Sequence, residues 1–232
     1  MKLFPRTVLV FAFVLIAAMS PVRGEDVAID HIIKKLPPPE KLVSRAPQAT
    51  DPALADALAK QVFDAADKAS FGNAFRLSQR LVAKYPQSAV ALCIHGNIAL
   101  VLRRFSEASD SFHKAIGIQP GAMPAYLGLG IMEASQHHYP AAMSHYRQVT
   151  KLSPKSEIGW LALSICAEEM QDRGQSVAYA KRATAVAPSS WAAWAQLARA
   201  HEIAGHNKAA REALNHANNL RRTASQSVAR KS

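Results

Sequence analysis

Apolar and small positions recur along this chain on a fixed frame. Bulky Leu92, Tyr126, Trp160 and Trp194 stand 34 residues apart, and Gly96, Gly130, Ser164 and Ala198 hold the same spacing four residues further on. Ala74, Ala108, Ala142, Ser176 and Ala210 form a third register, Phe112 and Tyr146 a fourth, and Ala115, Ala183 and Ala217 a fifth. Small side chains at fixed points let two helices approach closely, while bulky ones fill the space beside them. The pattern predicts helices throughout and no convincing strand.

Local chemistry divides the frame. Pro86, Pro120, Pro154 and Pro188 also return every 34 residues, where each would stop a helix. Ser88, Ser156 and Ser190 follow two residues later, placed to accept from the first free amides of the next helix. Pro124 suits a first helical turn instead. Asp51 and Pro52 open the helical stretch "PALADALAKQVFDAADKAS". Turn-like segments break each frame midway: "SFGN" at Gly72, "RRFS" after Leu102, "HHYP" before Ala141, "DRG" at Gly174 and "AGHN" at Gly205. Each unit therefore reads as helix, turn, helix, with about fourteen residues or ~21 Å per helix.

This pattern resembles the tetratricopeptide repeat family: a 34-residue period, a bulky residue, Leu-Gly, a central Ala, an aromatic, an Ala and a closing Pro. "YLGLG" at Tyr126 to Gly130, with Ala142, Tyr146 and Pro154, carries it most fully. The expected fold is an all-α superhelical solenoid of about five helix–turn–helix repeats: 55–88, 89–122, 123–156, 157–190 and 191–222. The first is degenerate, with Leu58 and Gln61 where a bulky residue and Leu are usual; the second has His95 in the Leu place. Pentatricopeptide repeats run one residue longer and lack this proline register.

Composition adds a location. Residues 1–24 carry Lys2 and Arg6, then an apolar run from Val8 to Met19, shorter than the ~20 residues that span a bilayer. They read as a signal peptide cut before Glu25, which makes the protein exported, periplasmic or secreted; an uncleaved membrane anchor is the rival reading. Loss of Lys2, Arg6 and Arg23 with the leader lowers the formal charge from +11 to +8. Charges of both signs are interspersed, without a basic stripe or interleaved aromatics, so no nucleic-acid partner is expected. The local basic excess, 223–232, reads as a disordered tail.

Chemistry of other kinds is sparse. His137 and His138 lie in a turn and His145 on the next helix, without the four-ligand spacing of a zinc site, so no metal or other cofactor is expected. Cys93 and His95, two apart on a helix, face different sides and form no nucleophile pair. Glu168 and Glu169 diverge and read as a solvated or partner-facing acidic end. His95 is expected to pack, neutral and hydrogen-bonded, between the helices of its own unit. No Gly-rich phosphate loop follows a strand, and no enzyme is expected. Cys93 and Cys166 fall two units apart, beyond the ~7 Å reach of a disulfide, and are expected as free thiols.

In the resembled family the first helix of each unit lines a concave binding surface. That resemblance places Val90, Cys93, Asn97, Leu127, Ile131, Ile158, Leu161, Ile165 and Arg199 in the groove. Chaperone-binding members grip a terminal carboxylate with Lys, Asn and Arg; Asn97 fits one such place, but Cys93, Pro124 and Gly128 stand where the others are expected. The helix "EIGWLALSICAEEM" is apolar on nearly every side, a pattern normally covered on all sides. The expected function is therefore an exported, non-enzymatic scaffold that binds an apolar peptide or helix of a protein partner, in the setting of envelope assembly. A self-assembling structural protein and a charge-driven binder of an anionic envelope polymer are the alternatives.

Between leader and repeats, 25–51 holds a stripe at i, i+3, i+4 and i+7, Ile29, Ile32, Ile33 and Leu36, ended by Pro37 to Pro39. It predicts a short amphipathic helix that needs a surface: the exposed side of the first unit, the groove, or a partner or membrane.

Overall fold

The computed structural model describes residues 51–229, with side chains through Thr223. The leader, the stripe from Ile29 to Leu36 and the end of the basic tail lie outside the described residues. Eleven helices and no strand are present among the described residues. The chain forms two compact units that meet in sequence at Gln136 and His137.

The first unit holds α1 (Pro52–Ala55), α2 (Ala57–Asp67), α3 (Phe71–Lys84), α4 (Ala89–Val101), α5 (Phe105–Ile118) and α6 (Met123–Ser135). The second holds α7 (Tyr139–Leu152), α8 (Glu157–Glu169), α9 (Arg173–Val186), α10 (Trp191–Ile203) and α11 (Asn207–Ala229). Within each unit sequential helices pack in pairs: α2 on α3 and α4 on α5, then α8 on α9 and α10 on α11. First helices also touch, α4 with α6 and α8 with α10.

The frame residues account for these boundaries. Each register proline follows its helix by one intervening residue, as Lys84, Tyr85, Pro86 at the end of α3. The side chains of Ser88, Ser156 and Ser190 accept from Ala91, Ile158 and Ala193 amides at 3.0, 3.4 and 3.2 Å. Pro124 sits in the first turn of α6. One close approach lies at Gly96, in the small-residue register, and the other at Gly128, outside that register. Phe112 of α5 is wholly buried; a Cβ on Gly96 of α4 would come within 2.7 Å of its ring, and one on Gly128 of α6 would come closer still.

The corner inside each repeat differs from expectation. Gly72 and Gly174 lie in the first turns of α3 and α9, not at the corners. The residues with left-handed backbone are Ala69, Arg103, His137, Gln171 and Gly205, at φ 54, 57, 62, 60 and 79°. They too are spaced by 34. The following amide reaches back five residues at four of them: Ser70 to Ala65, Arg104 to Ala99, Asp172 to Ala167 and His206 to His201, each 2.8 Å. This bond closes the helix end and forces the preceding residue left-handed, whatever its type.

Two further differences have local causes. The stretch from Pro52 is not one helix, because Asp56 is extended (φ −71°, ψ 143°) and its carboxylate caps Leu58 N at 2.8 Å. Tyr85 donates to the same carboxylate at 2.7 Å, and Lys84 pairs with it. At the other end, 223–229 belong to α11 rather than to an irregular tail, since neither proline nor glycine follows Gly205 to stop the helix.

Candidate functional site: the first-helix faces

In the first unit, α4 and α6 carry five of the expected contact residues. Val90, Asn97 and Leu127 are half-buried, whereas Cys93 and Ile131 are buried and offer little surface. The described chain begins at the N-terminal end of α4. The Ser88 hydroxyl lies 2.8 and 2.7 Å from the two carboxylate oxygens of Asp51, α1 packs on α4, and Ala53 is fully buried. Burial, with the Asp51 charge nearby, pushes the Cys93 thiol up to about 12. His95 bonds Ser78 at 2.9 Å and lies 4.9 Å from the Phe75 ring. It therefore packs against α3 of the preceding repeat, not between the helices of its own. Burial holds its pKa below the usual value, which keeps it neutral.

In the second unit, α8 and α10 carry Ile158, Leu161, Ile165 and Arg199. Ile158 and Ile165 are half-buried. Leu161 is not on the open face: it clusters with Ala183 of α9 and Ala193 of α10, beside Trp160. An all-round apolar helix has more of its circumference covered than one face, and Leu161 falls on a covered side.

Arg199 is held by a chain of polar contacts. Its Nε donates to Glu168 Oε1 at 2.6 Å, and the other Glu168 oxygen accepts from Gln196 Nε2 at 3.2 Å. Gln196 also donates to Ser164 Oγ at 3.2 Å, and Ser164 donates to the Ser176 carbonyl at 3.0 Å. Gln196, Ser164 and Ser176 are buried, so the network is shielded from water. Glu168 is thus neither a solvated nor a partner-facing end: its side chain is 8% exposed and neutralised by Arg199, itself 38% exposed. Glu168 and Arg199 are 31 residues apart, out of step with the repeat, so periodicity does not reveal the pair.

His137 Nδ1 lies 2.8 Å from the Tyr139 hydroxyl, which donates to Glu169 at 3.3 Å. Among the described residues no three metal-ligating side chains converge, and no helix is long and apolar enough to cross a membrane.

No protein-family model matches the chain. Over 117 residues, 50% of its length, it is 29% identical to anaphase-promoting complex subunit 6 of Arabidopsis thaliana, and it spans 21% of that protein. The crystal structure of PilW, described as a widely conserved type IV pilus biogenesis factor, matches with a TM-score of 0.64 at 19% identity, covering 74% of this chain and 79% of that one. MamA from Desulfovibrio magneticus RS-1 matches at 0.61 and 15% identity, covering 76% of this chain and 98% of that one. At these identities the likeness is one of fold. The chain has the tetratricopeptide-like repeat fold, all-α and built of about five helix–turn–helix repeats.

Proposed function

We propose that the protein is an exported, non-enzymatic interaction scaffold whose first-helix faces take an apolar peptide or helix of a protein partner. The observation that carries this reading is the second-unit face. Ile158 and Ile165 offer apolar surface on the helix whose Glu168, itself bonded by Gln196, holds Arg199. A prearranged arginine costs little entropy when it takes a backbone carbonyl or carboxylate of a ligand. Export rests on the leader-like 1–24. The fold likeness to a pilus biogenesis factor supports a setting in envelope assembly.

A photocrosslinking residue at Ile165, introduced in cells, tests the reading. One protein species other than the chain itself should be captured, and Ile165→Glu or Arg199→Glu should each weaken its binding at least tenfold with helicity unchanged. Capture of further copies of the chain alone would favour self-assembly. Intact mass of the exported protein should correspond to a start at Glu25; retention of 1–24 in membranes would favour the anchor.

A further inference from the structure

Asp51, the first described residue, lies at the N-terminal end of α4. Three contacts fix that point: the Ser88 hydroxyl on the Asp51 carboxylate, α1 packed on α4, and Ala53 with no exposed surface. The Asp51 charge is felt at Cys93, a residue of the same face. Val90 of α4, two residues after Ser88, and Leu127 of α6 have half-covered apolar side chains.

We propose that the stripe Ile29, Ile32, Ile33 and Leu36 of the same chain docks on this face, against Val90 and Leu127. Only "PPPEKLVSRAPQAT" separates Leu36 from Asp51. Fourteen residues of such a proline-containing linker extend to ~45 Å at about 3.1–3.3 Å each. α4 is ~20 Å long at 1.5 Å per residue, and neighbouring packed helices stand ~8–10 Å apart. The stripe therefore reaches α4 and α6 without strain, yet cannot wander far. A tether of this length holds it at an effective concentration on the order of millimolar, so a contact too weak to bind between molecules is occupied within one. On the outer side of α2 a half-buried Leu58 stands among exposed Lys60, Gln61 and Asp64, and the entry point at the N-terminal end of α4 favours the α4 and α6 face over it. The segment acts as an internal occupant of the first-unit face and leaves the second-unit face to a partner.

The test uses the purified full chain and no partner, so it stands or falls apart from the scaffold reading. A photocrosslinking residue replaces Leu127, and in a second protein Val90, with a control at Gln61. Irradiated monomer should give an intrachain link from positions 127 and 90 to the peptide 25–40, located by mass spectrometry. Ile32→Glu with Ile33→Glu should lower the yield at least tenfold and leave the thermal midpoint within 2 °C, about 1 kcal/mol or less at this size. Links from Gln61 in place of Leu127 and Val90 would overturn the proposal in favour of a cap on the first repeat. Links between two chains, or an unchanged yield in the double variant, would also overturn it.

Discussion

At five corners spaced by 34 residues the backbone turns left-handed, and only the last corner, Gly205, is glycine. A residue with a Cβ pays about 1–2 kcal/mol in that conformation. Glycine removes the cost but gains freedom in the unfolded chain, which returns about 0.4–1 kcal/mol. Arg103→Gly and Gln171→Gly should therefore each stabilise by about 0.5–1 kcal/mol, and Gly205→Ala should destabilise by about 1 kcal/mol. In thermal melts this means a rise of about 1–4 °C for each glycine and a fall of about 2–4 °C for Gly205→Ala. A fall for both glycine variants would mean that contacts of the native side chains outweigh the strain.

Between elements, the tightest fit is Phe112 between Gly96 and Gly128. Gly128→Ala puts a methyl into the ring and should cost about 1–3 kcal/mol, read as a lower urea midpoint. Combined with Phe112→Leu, the loss should be smaller than the sum of the two single losses, because the smaller side chain leaves room for the methyl. Helix ends were largely legible in advance, since proline stops and serine caps act within a few residues. The corners were not, because four of five lack the glycine that marks such a turn, and Gly72 and Gly174 mark another place. The α1–α2 break was hidden too: Asp56 is steadied by Tyr85 and Lys84 from the far end of the repeat. For the candidate site, register assigned the right helices but not the exposure. It says which side of a helix a residue is on, not how far the neighbours cover that side. Cys93, Ile131 and Leu161 are buried for this reason, and the pair of Glu168 and Arg199 has no repeat relation to betray it.

Over the whole molecule, acid should weaken the fold in two windows. Burial lowers the pKa of His95 and His201 from the usual 6.5, so below that value the unfolded chain binds more protons and stability falls with pH. Glu157, raised by burial, works against this trend, because in its own window the native state binds more protons. Lys84, then Tyr85, hold Asp56 at about 2 against its ordinary 3.8, so a second decline belongs between those values. Urea midpoints should be lower at pH 5.5 than at pH 7.5, and His95→Gln, which can still bond Ser78, should reduce the difference. An equal slope in that variant would remove His95 from the account. Burial pushes both thiols up to about 12, so at pH 8 the folded protein should react negligibly with a thiol reagent, while the unreduced, denatured monomer should titrate two. A thiol count of zero in that monomer would reveal an intramolecular disulfide and break the repeat alignment.

The left-handed corners also make the protein sensitive to the mirror image of a single amino acid. At Gln171, D-alanine installed by chemical ligation meets no Cβ clash, as glycine does not, yet it leaves the unfolded chain less free than glycine does. The stability order should run D-alanine above glycine above L-alanine, with the first step about 0.4–1 kcal/mol. At Ala162, inside α8, the same D-residue should do the reverse and break the helix. One stereocentre, inverted at one position or the other, would strengthen the repeat or undo it.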